Sequence, residues 1–163
     1  EYLAKQAGLN LESGVIKDPN YRENNYSNLK NIMLEVNKFY SSMLKQNEGI
    51  KKYLETRKVS DEMCEKFDLG YSGSQSNQLY LYLKKSGVNI NDALLLGLIK
   101  KSKHKDDDYY DFFRNRLMFP IKDYKSNLIA FGGRAIDNSN IKYINSSDSP
   151  IFKKSFNGYQ SKI

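Results

Sequence analysis

The sequence predicts an α+β fold in which a helical N-terminal half packs on a small, mostly antiparallel, strongly twisted β-sheet in the C-terminal half. Up to about residue 100, apolar residues recur at three- and four-residue steps, which is the period of amphipathic helices. From about residue 109 the pattern changes to alternating sequence broken by turn residues. Such alternation is typical of antiparallel strands joined by short turns.

Residues 1–26 are interpreted as the tail of a preceding module followed by a linker, because Asp18-Pro19 and a cluster of asparagines interrupt the pattern. The domain itself is expected to occupy residues 27–163. Its first helix is predicted over residues 27–46, where apolar residues between Leu29 and Leu44 form a single face over about five turns.

Shorter helices are predicted after the first one. Asn47 is expected to cap the second helix, and Ser60 to begin a third helix that ends at Gly70. The polar stretch "YSGSQSN" is interpreted as a loop. A fourth helix is expected to end at Gly87, and Asn91 is expected to cap a last helix in "DALLLGLIKK".

Three strands are predicted in the second half: one within "DDDYYDFFRNRLMFPI", one in "LIAFGGRAI" and a short one in "IKYIN". The stretches "KDYKSN" and "DNSN" are the turns between them. Pro120 is expected at a sheet edge or a bulge, because proline cannot donate to a strand ladder. Gly132-Gly133 indicates either close packing or a kink that redirects Arg134.

The positive charge of the chain is concentrated in one segment. The formal net charge is +7 and the sequence pI is about 9.3, which favours a polyanionic partner. Residues 114–154 contain eight Lys/Arg and three Asp/Glu, a net charge of +5 in a quarter of the chain. The sequence therefore predicts a local electropositive surface.

Several classes of site are excluded by composition. Cys64 is the single cysteine and His104 the single histidine, so an internal disulfide or a thiolate zinc cluster cannot form, and the thiol is interpreted as buried and structural. The apolar run Ala93–Ile99 is too short to span a bilayer, and the start lacks a secretory signal, so a cytoplasmic setting is expected. Asp106–Asp108 is interpreted as a solvated loop rather than a metal site.

The basic segment has the residues that single-stranded nucleic acid requires. Arg114 and Arg116 are two residues apart and are predicted to share one face of a strand. Arg134 follows the double glycine, and Lys142 places a phosphate-binding charge beside Tyr143, whose ring can stack on a base.

Each of these features also has a structural explanation. The two arginines of "RNR" can pair with Asp111 and Asp123 across a hairpin, and Tyr143 can belong to the core. A non-enzymatic basic α+β module, which binds a protein partner through the helix at 27–46, is the alternative to a nucleic-acid-binding domain.

The ordered series "FRNRLMFPI…LIAFGGR…KYINS…IFKKS…GY", together with the weaker "KKYLETRKVS…CEKFDLGY", resembles bacterial-type (DnaG-type) DNA primase. This family synthesises short RNA primers on single-stranded DNA during replication. The resemblance covers nearly the whole chain from about Asn25. It implies the N-terminal subdomain of the RNA polymerase catalytic core, which supplies a basic groove for template DNA and RNA–DNA hybrid.

The resemblance also implies residue roles. Lys154 is expected to contact the phosphates of the incoming nucleotide, and no catalytic or metal-binding residue is expected in this fragment. Ile141 stands where the family often has proline, and "DNSN" lacks the usual glycine, which bears on loop shape. The residues expected to bind nucleic acid are Arg57, Arg114, Arg116, Arg134, Lys142 and Tyr143.

For the full-length enzyme the resemblance implies Mg²⁺ or Mn²⁺ in a Toprim subdomain, Zn²⁺ in a zinc module, and NTPs and the replicative helicase as partners. Neither the zinc module nor the Toprim motifs occur in this sequence. The fragment is therefore expected to carry no cofactor, to be monomeric and to be inactive alone.

Overall fold

The computed structural model describes residues 19–154, with side chains from residue 23 onward. Five helices lie in this range, and all of them precede the first long strand. They are α1 (Pro19–Lys45), α2 (Glu48–Thr56), α3 (Asp61–Lys66), α4 (Gln78–Lys85) and α5 (Ile90–Leu95).

The strands form two antiparallel sheets, which confirms the predicted α+β class. The main sheet has the order β1-β4-β5-β6, and β2 and β3 form a separate two-stranded sheet. The strands are β1 (Gly70–Tyr71), β2 (Ile99–Lys101), β3 (Tyr109–Asp111), β4 (Arg116–Lys122), β5 (Leu128–Ala135) and β6 (Tyr143–Asn145).

Helix α1 begins at Pro19, eight residues before the predicted start. The predicted start of this helix is therefore wrong: residues 19–26 are helical, and no element ends at residue 26. Proline suits the first turn of a helix, because the N–H that it lacks has no partner there. The rest of the predicted linker, residues 1–18, and the last residues of the predicted domain, 155–163, lie outside the described residues.

Two of the three predicted helix caps are confirmed. The side chains of Asn47 and Ser60 each accept a hydrogen bond from the backbone N–H three residues later, at 3.1 and 3.2 Å. The cap of α5 is Asn89 rather than Asn91. The last part of "DALLLGLIKK" is strand β2, so the single helix predicted there was too long.

Gly70 was predicted to end α3, and this was wrong. Asp68 is the residue with left-handed backbone (φ 51°), and the N–H of Leu69 then bonds to the carbonyl of Cys64 at 2.9 Å. Gly70 lies in β1 under α1, where an added Cβ would stand 2.5 Å from the Cβ of Tyr40. The missing side chain is what allows α1 to approach the sheet.

One face of the main sheet is covered by α1. Met118 and Phe131 point to this face, and the ring of Phe131 meets that of Tyr40 edge-on with centroids 5.1 Å apart. The side chains of α4 and α5 complete this core, which contains most of the fully buried apolar residues of the described range. We call this the helix face.

The opposite face is covered only at one side. Leu117 and Tyr71 pack there against α2 and α3 in a smaller core that includes the buried thiol of Cys64, as expected for a structural cysteine. Over β5 and β6 no helix of the described residues covers the same face. We call this part the open face; it comprises Phe119, Gly132, Arg134, Tyr143 and Asn145.

The register shift in the main sheet does not lie at Gly132-Gly133. The register shifts between Ile121 and Lys122, where Ile129 is an extra residue on β5. Pro120 lies beyond Met118, the last residue of β4 that pairs with β1, so it occupies an edge as predicted. Within the described residues, no helix is long and apolar enough to cross a bilayer.

Asp111 joins β3 to the start of α4. Its carboxylate is 1% exposed and accepts hydrogen bonds from the N–H groups of Leu79 and Tyr80, at 2.8 and 2.9 Å. Loss of hydration outweighs these bonds and the nearby charge of Arg114, and it raises the pKa of Asp111 to about 6.

Gly70→Ala is expected to lower the free energy of unfolding by about 3 kcal/mol, because the new methyl overlaps the backbone of α1. Gly87→Ala serves as the matched control. Gly87 has φ 74° and no atom near an added Cβ, so only backbone strain of about 1 kcal/mol applies. Urea denaturation measures both. Equal losses would contradict the close approach of α1 to β1.

Asp111→Asn tests the raised pKa. The folded pKa of about 6 exceeds the unfolded value of about 3.9, so the folded state binds the proton more tightly. The stability of the wild type relative to this variant should therefore fall as pH rises from 4 to 7, by at most about 3 kcal/mol. Urea denaturation at each pH gives this difference. A rise over the same range would show that the two N–H bonds dominate instead.

Candidate nucleic-acid interface

Arg134 and Tyr143 form the centre of the open face. They are register partners across β5 and β6, and the Arg134 Cζ lies 5.7 Å from the centroid of the Tyr143 ring. The ring is 62% exposed, so the alternative that Tyr143 belongs to the core is wrong. The Arg134 Nε is buried and has no hydrogen-bond partner among the described residues. An arginine stacked on an exposed tyrosine offers both a cation and an aromatic surface to a ligand.

Gly132 and Gly133 allow neighbouring side chains to pack closely against β5. They do not kink the strand, so that alternative is wrong. Both glycines pair regularly with β4 and β6. On the helix face, an added Cβ on Gly133 would stand 2.8 Å from the ring of Phe113. On the open face, one on Gly132 would stand 3.2 Å from the Asn145 Oδ1. Gly132 thus leaves room for the Asn145 side chain on the open face.

Arg57 lies on the same side of the sheet as Arg134. It follows α2, and its Cζ lies 5.2 Å from the centroid of the Tyr53 ring. Tyr53 packs on the smaller core that contains Leu117, and Leu117 is the cross-strand partner of Arg134. The exposed guanidinium of Arg57 therefore lies on the side of the sheet that carries the open face.

Lys154 follows a segment that packs on the same side of β5. Phe152 packs on Ala130, which shares the face of β5 with Arg134 and is four residues, about 13 Å, away along the strand. The backbone N–H of Lys154 donates to the Asp148 carboxylate at 2.9 Å, and its side chain is exposed.

Arg114 and Arg116 do not share a strand face, so that prediction was wrong. β4 begins only at Arg116, and Arg114 lies before it with Cζ 5.7 Å from the centroid of the Tyr110 ring. Both arginines line a separate cleft of about 340 Å³, together with Asp137 and Ile144. Ile144 points to the helix face, so this cleft is distinct from the open face.

Arg116 is largely buried, with 8% of its surface exposed. Its guanidinium donates to the carbonyl of Ile141 at 2.9 Å and to those of Gly133 and Lys142 at 3.3 Å each. Loss of hydration lowers the pKa of this guanidinium from its ordinary value, and the charge on Asp137 opposes that change. Because the residue is buried and three of its five N–H donors bind backbone carbonyls, the arrangement favours a structural role over the predicted phosphate contact.

Lys142 is exposed and immediately precedes β6. Its carbonyl accepts the N–H of Ala135 at 2.8 Å, which continues the ladder by one residue. Alternation along the strand then places its Cβ on the opposite side from the Tyr143 ring. Lys142 therefore lies at the edge of the sheet and next to Tyr143 in sequence, with its side chain on the opposite side from the Tyr143 ring.

The cations of the candidate interface are not neutralised by carboxylates. Among residues 23–154, five ion pairs lie within 4 Å, and all involve other lysines. The alternative pairing of Arg114 with Asp111 or Asp123 is not formed at that distance, and Asp123 instead holds its own turn through the N–H groups of Lys125 and Asn127. The cations concerned are Arg57, Arg114, Arg134, Lys142 and Lys154.

Metal binding has no support in the part of the chain that the structure describes. No group of three or more His, Cys, Asp or Glu side chains is placed there to hold an ion. Asp106, Asp107 and Asp108 are all exposed in the loop between β2 and β3.

The aromatic supports of the cations were missed by sequence reasoning. Tyr53 precedes Arg57 by four residues at the end of a helix, a spacing that brings side chains together and was a usable signal. Phe119 and Asn145 belong to the open face only through the register of β4, β5 and β6. No short-range pattern indicates that register.

A family model, curated relatives and solved structures all indicate the same protein family. The model of the family described as "DNA primase catalytic core, N-terminal domain" matches residues 39–162. The DNA primase of Clostridium acetobutylicum is 35% identical over 161 residues, which is 98% of this chain and 26% of that protein. The chain thus spans about a quarter of the length of the curated relatives it matches.

Solved structures agree with the sequence match. A DnaG primase catalytic domain bound to ssDNA is 31% identical, with a TM-score of 0.71 over 80% of this chain and 42% of that one. The Aquifex aeolicus primase, comprising zinc-binding and RNA polymerase domains, is also 31% identical, with a TM-score of 0.71 over 94% of this chain and 36% of that one. The chain belongs to the family of DNA primase catalytic core N-terminal domains.

Proposed function

We propose that this chain is the part of a DNA primase that holds single-stranded template DNA and the RNA–DNA hybrid on its open face. The observation that carries the proposal is the stacked pair of Arg134 and Tyr143, with Arg57 and Lys154 beyond it on the same side of the sheet. A related catalytic domain of the same fold has been solved bound to ssDNA, which supports a nucleic-acid ligand.

The chemistry of this face suits a ligand with a phosphate backbone and exposed bases. Unpaired guanidinium and ammonium groups attract phosphates, and the exposed ring of Tyr143 offers a surface on which any base can stack. Such contacts carry little sequence information, so binding should depend weakly on sequence and strongly on salt.

Arg114 and Lys142 extend the proposal beyond the open face. Arg114 lies in the separate cleft and Lys142 at the edge between the two surfaces, and both are exposed. A strand that leaves the open face over β6 would pass Lys142. Arg116 is omitted from the contact set because its donors are bound to carbonyls.

Primer synthesis is proposed for the whole protein rather than for this chain. Phosphoryl transfer requires metal ions that neutralise charge on the phosphate oxygens. The described residues offer no carboxylate cluster for Mg²⁺ or Mn²⁺, so no step of the transfer is assigned to them. Lys154 is proposed to contact the phosphates of the incoming NTP. A zinc module, contact with the replicative helicase and action at the cytoplasmic replication fork are part of the same proposal.

The alternative function, a protein-docking module, requires the apolar face of α1 as its docking surface. In the structure, Leu29, Met33, Val36 and Tyr40 are all buried against the sheet and the other helices. This face is therefore occupied within the domain.

Arg134→Ala should weaken binding of labelled oligo-dT. It should also reduce the slope of log affinity against log salt by about 0.7, the value for one lost phosphate contact on a single strand. Lys142→Ala is expected to act in the same direction. Fluorescence anisotropy at several salt concentrations measures both affinity and slope.

The control for this experiment is Lys84→Ala. Lys84 is an exposed cation over a tyrosine ring, but it lies on α4, on the helix side. Its removal should leave the salt slope unchanged. The proposal is contradicted by slopes that stay at the wild-type value in both Arg134→Ala and Lys142→Ala.

Tyr143→Ala should weaken oligo-dT binding by about 1–3 kcal/mol through loss of base stacking, whereas Tyr143→Phe should bind nearly as the wild type does. The salt slope should not change in either variant, since no charge is removed. Tyr124→Ala is the control, because Tyr124 is 91% exposed beside Lys125 in the β4–β5 turn. Equal effects at both tyrosines would argue against a stacking site on the open face.

A further inference from the structure

Arg116 makes an unusual set of contacts for a buried cation. Its side chain starts on the helix face of β4, opposite Ala135, and passes beneath β5 to reach three carbonyl oxygens. One belongs to Gly133 on β5, and the other two belong to Ile141 and Lys142, the residues that lead into β6. The guanidinium therefore bridges β4 to the start of β6 across the strand between them.

The loop that precedes β6 has few other anchors. At the start of the segment from Asp137 to Ile141, the Asn115 side-chain amide donates to the Asp137 carboxylate at 2.8 Å. Beyond this anchor the side-chain hydrogen bonds are local or weak: the Ser139 N–H donates to the Asp137 carboxylate at 3.0 Å, and the Ser139 hydroxyl reaches the Ile141 carbonyl at 3.5 Å. The side chain of Ile141 is exposed, so apolar burial does not fix this end. Arg116 supplies its bonds from inside the domain.

A buried arginine without a carboxylate partner loses hydration that an ion pair would partly replace. Among the described residues, no carboxylate oxygen lies within 4 Å of Arg116. An apolar side chain would fill the same volume without that cost. The guanidinium offers several N–H donors in a fixed planar arrangement, which an apolar residue lacks and which here bind three carbonyl oxygens.

We propose that Arg116 is a positioning residue, which holds the Ile141 and Lys142 carbonyls so that Tyr143 starts β6 with its ring against Arg134. This inference rests on the proposed function of the open face. β6 has three residues and lies at the sheet edge, so its first residue is held by few ladder bonds. Without the N–H donors of the Arg116 guanidinium, the Tyr143 side chain samples other orientations. Its ring must then be ordered when DNA binds, which lowers the affinity.

The first experiment uses a fluorescent reporter at the stacking position. The chain contains no tryptophan, so Tyr143→Trp introduces a single one on the open face. Stacking of oligo-dT bases should quench its emission. Adding Arg116→Lys, which keeps the charge but lacks the fork, should weaken oligo-dT binding at least five-fold and reduce the quenching at saturation.

A double-variant cycle then tests whether Arg116 acts through Tyr143. Arg116→Lys combined with Tyr143→Ala should bind oligo-dT within two-fold of Tyr143→Ala alone. If the fold-losses of affinity from the two substitutions multiply instead, the proposal is overturned, because Arg116 would then contribute to binding independently of Tyr143. Wild-type affinity in Arg116→Lys would overturn it as well, since a lysine would suffice.

Ser72→Ala is the control for simple loss of stability. The Ser72 hydroxyl accepts the backbone N–H of Arg116 at 2.9 Å and is buried, so its removal weakens the same region without touching the fork. This variant should lower the Tm and leave oligo-dT affinity unchanged. A loss of affinity equal to that of Arg116→Lys would overturn the positioning role.

Two measurements separate this proposal from the proposed function. Without DNA, the amide of Ala135, which bonds to the Lys142 carbonyl, should exchange faster in Arg116→Lys. Unchanged exchange would overturn the positioning role even if the open face binds DNA.

The second measurement uses the wild-type chain, so it does not depend on the folding of a variant. Addition of oligo-dT should shift the guanidinium NMR signals of Arg134 and not those of Arg116. A shift confined to Arg116 would make it a direct contact. If Tyr143→Ala binds as the wild type does, the proposed function fails, while amide exchange still decides the role of Arg116.

Discussion

Strand β5 can direct only every second side chain to one face, and the rest of the structure depends on how it uses this alternation. Phe131 and Gly133 face α1, where the glycine leaves room for Phe113. Gly132 and Arg134 face the opposite way, onto a surface that no helix within residues 19–154 covers. One strand therefore stabilises the core and presents the candidate interface, so changes at one set of positions leave the other set in place.

The second constraint is electrostatic. Several unpaired cations near one face repel one another, and this repulsion is relieved when a polyanion binds. Aromatic rings hold the cations in place without neutralising them: Tyr53 supports Arg57, and Tyr143 supports Arg134. Arg116 shows the opposite use of arginine, since its charge is buried and its donors hold backbone carbonyls. Neighbouring arginines in "RNR" thus have different physical roles.

The sequence was informative where the signal is local. The apolar period located the α1 core residues, and Asn47 and Ser60 were identified as caps because capping involves a side chain and an N–H three residues apart. The sequence-based predictions were wrong where contacts between distant segments determine the role of a residue. Gly70 was interpreted as a helix end although contact with Tyr40 explains it, and Arg116 was assigned to the surface because the carbonyls that bind it lie 17 to 26 residues away. Cross-strand register also determined which basic residues share a face.

The central claim is that single-stranded DNA binds to the open face, around Arg134 and Tyr143. The most direct test is a map of backbone amide NMR shifts during titration of the ¹⁵N-labelled chain with oligo-dT. The largest shifts are expected at Gly132, Arg134, Tyr143 and Asn145, with little change in α4. Shifts confined to α4 and α5, or to the cleft of Arg114 with the open face unchanged, would contradict the account.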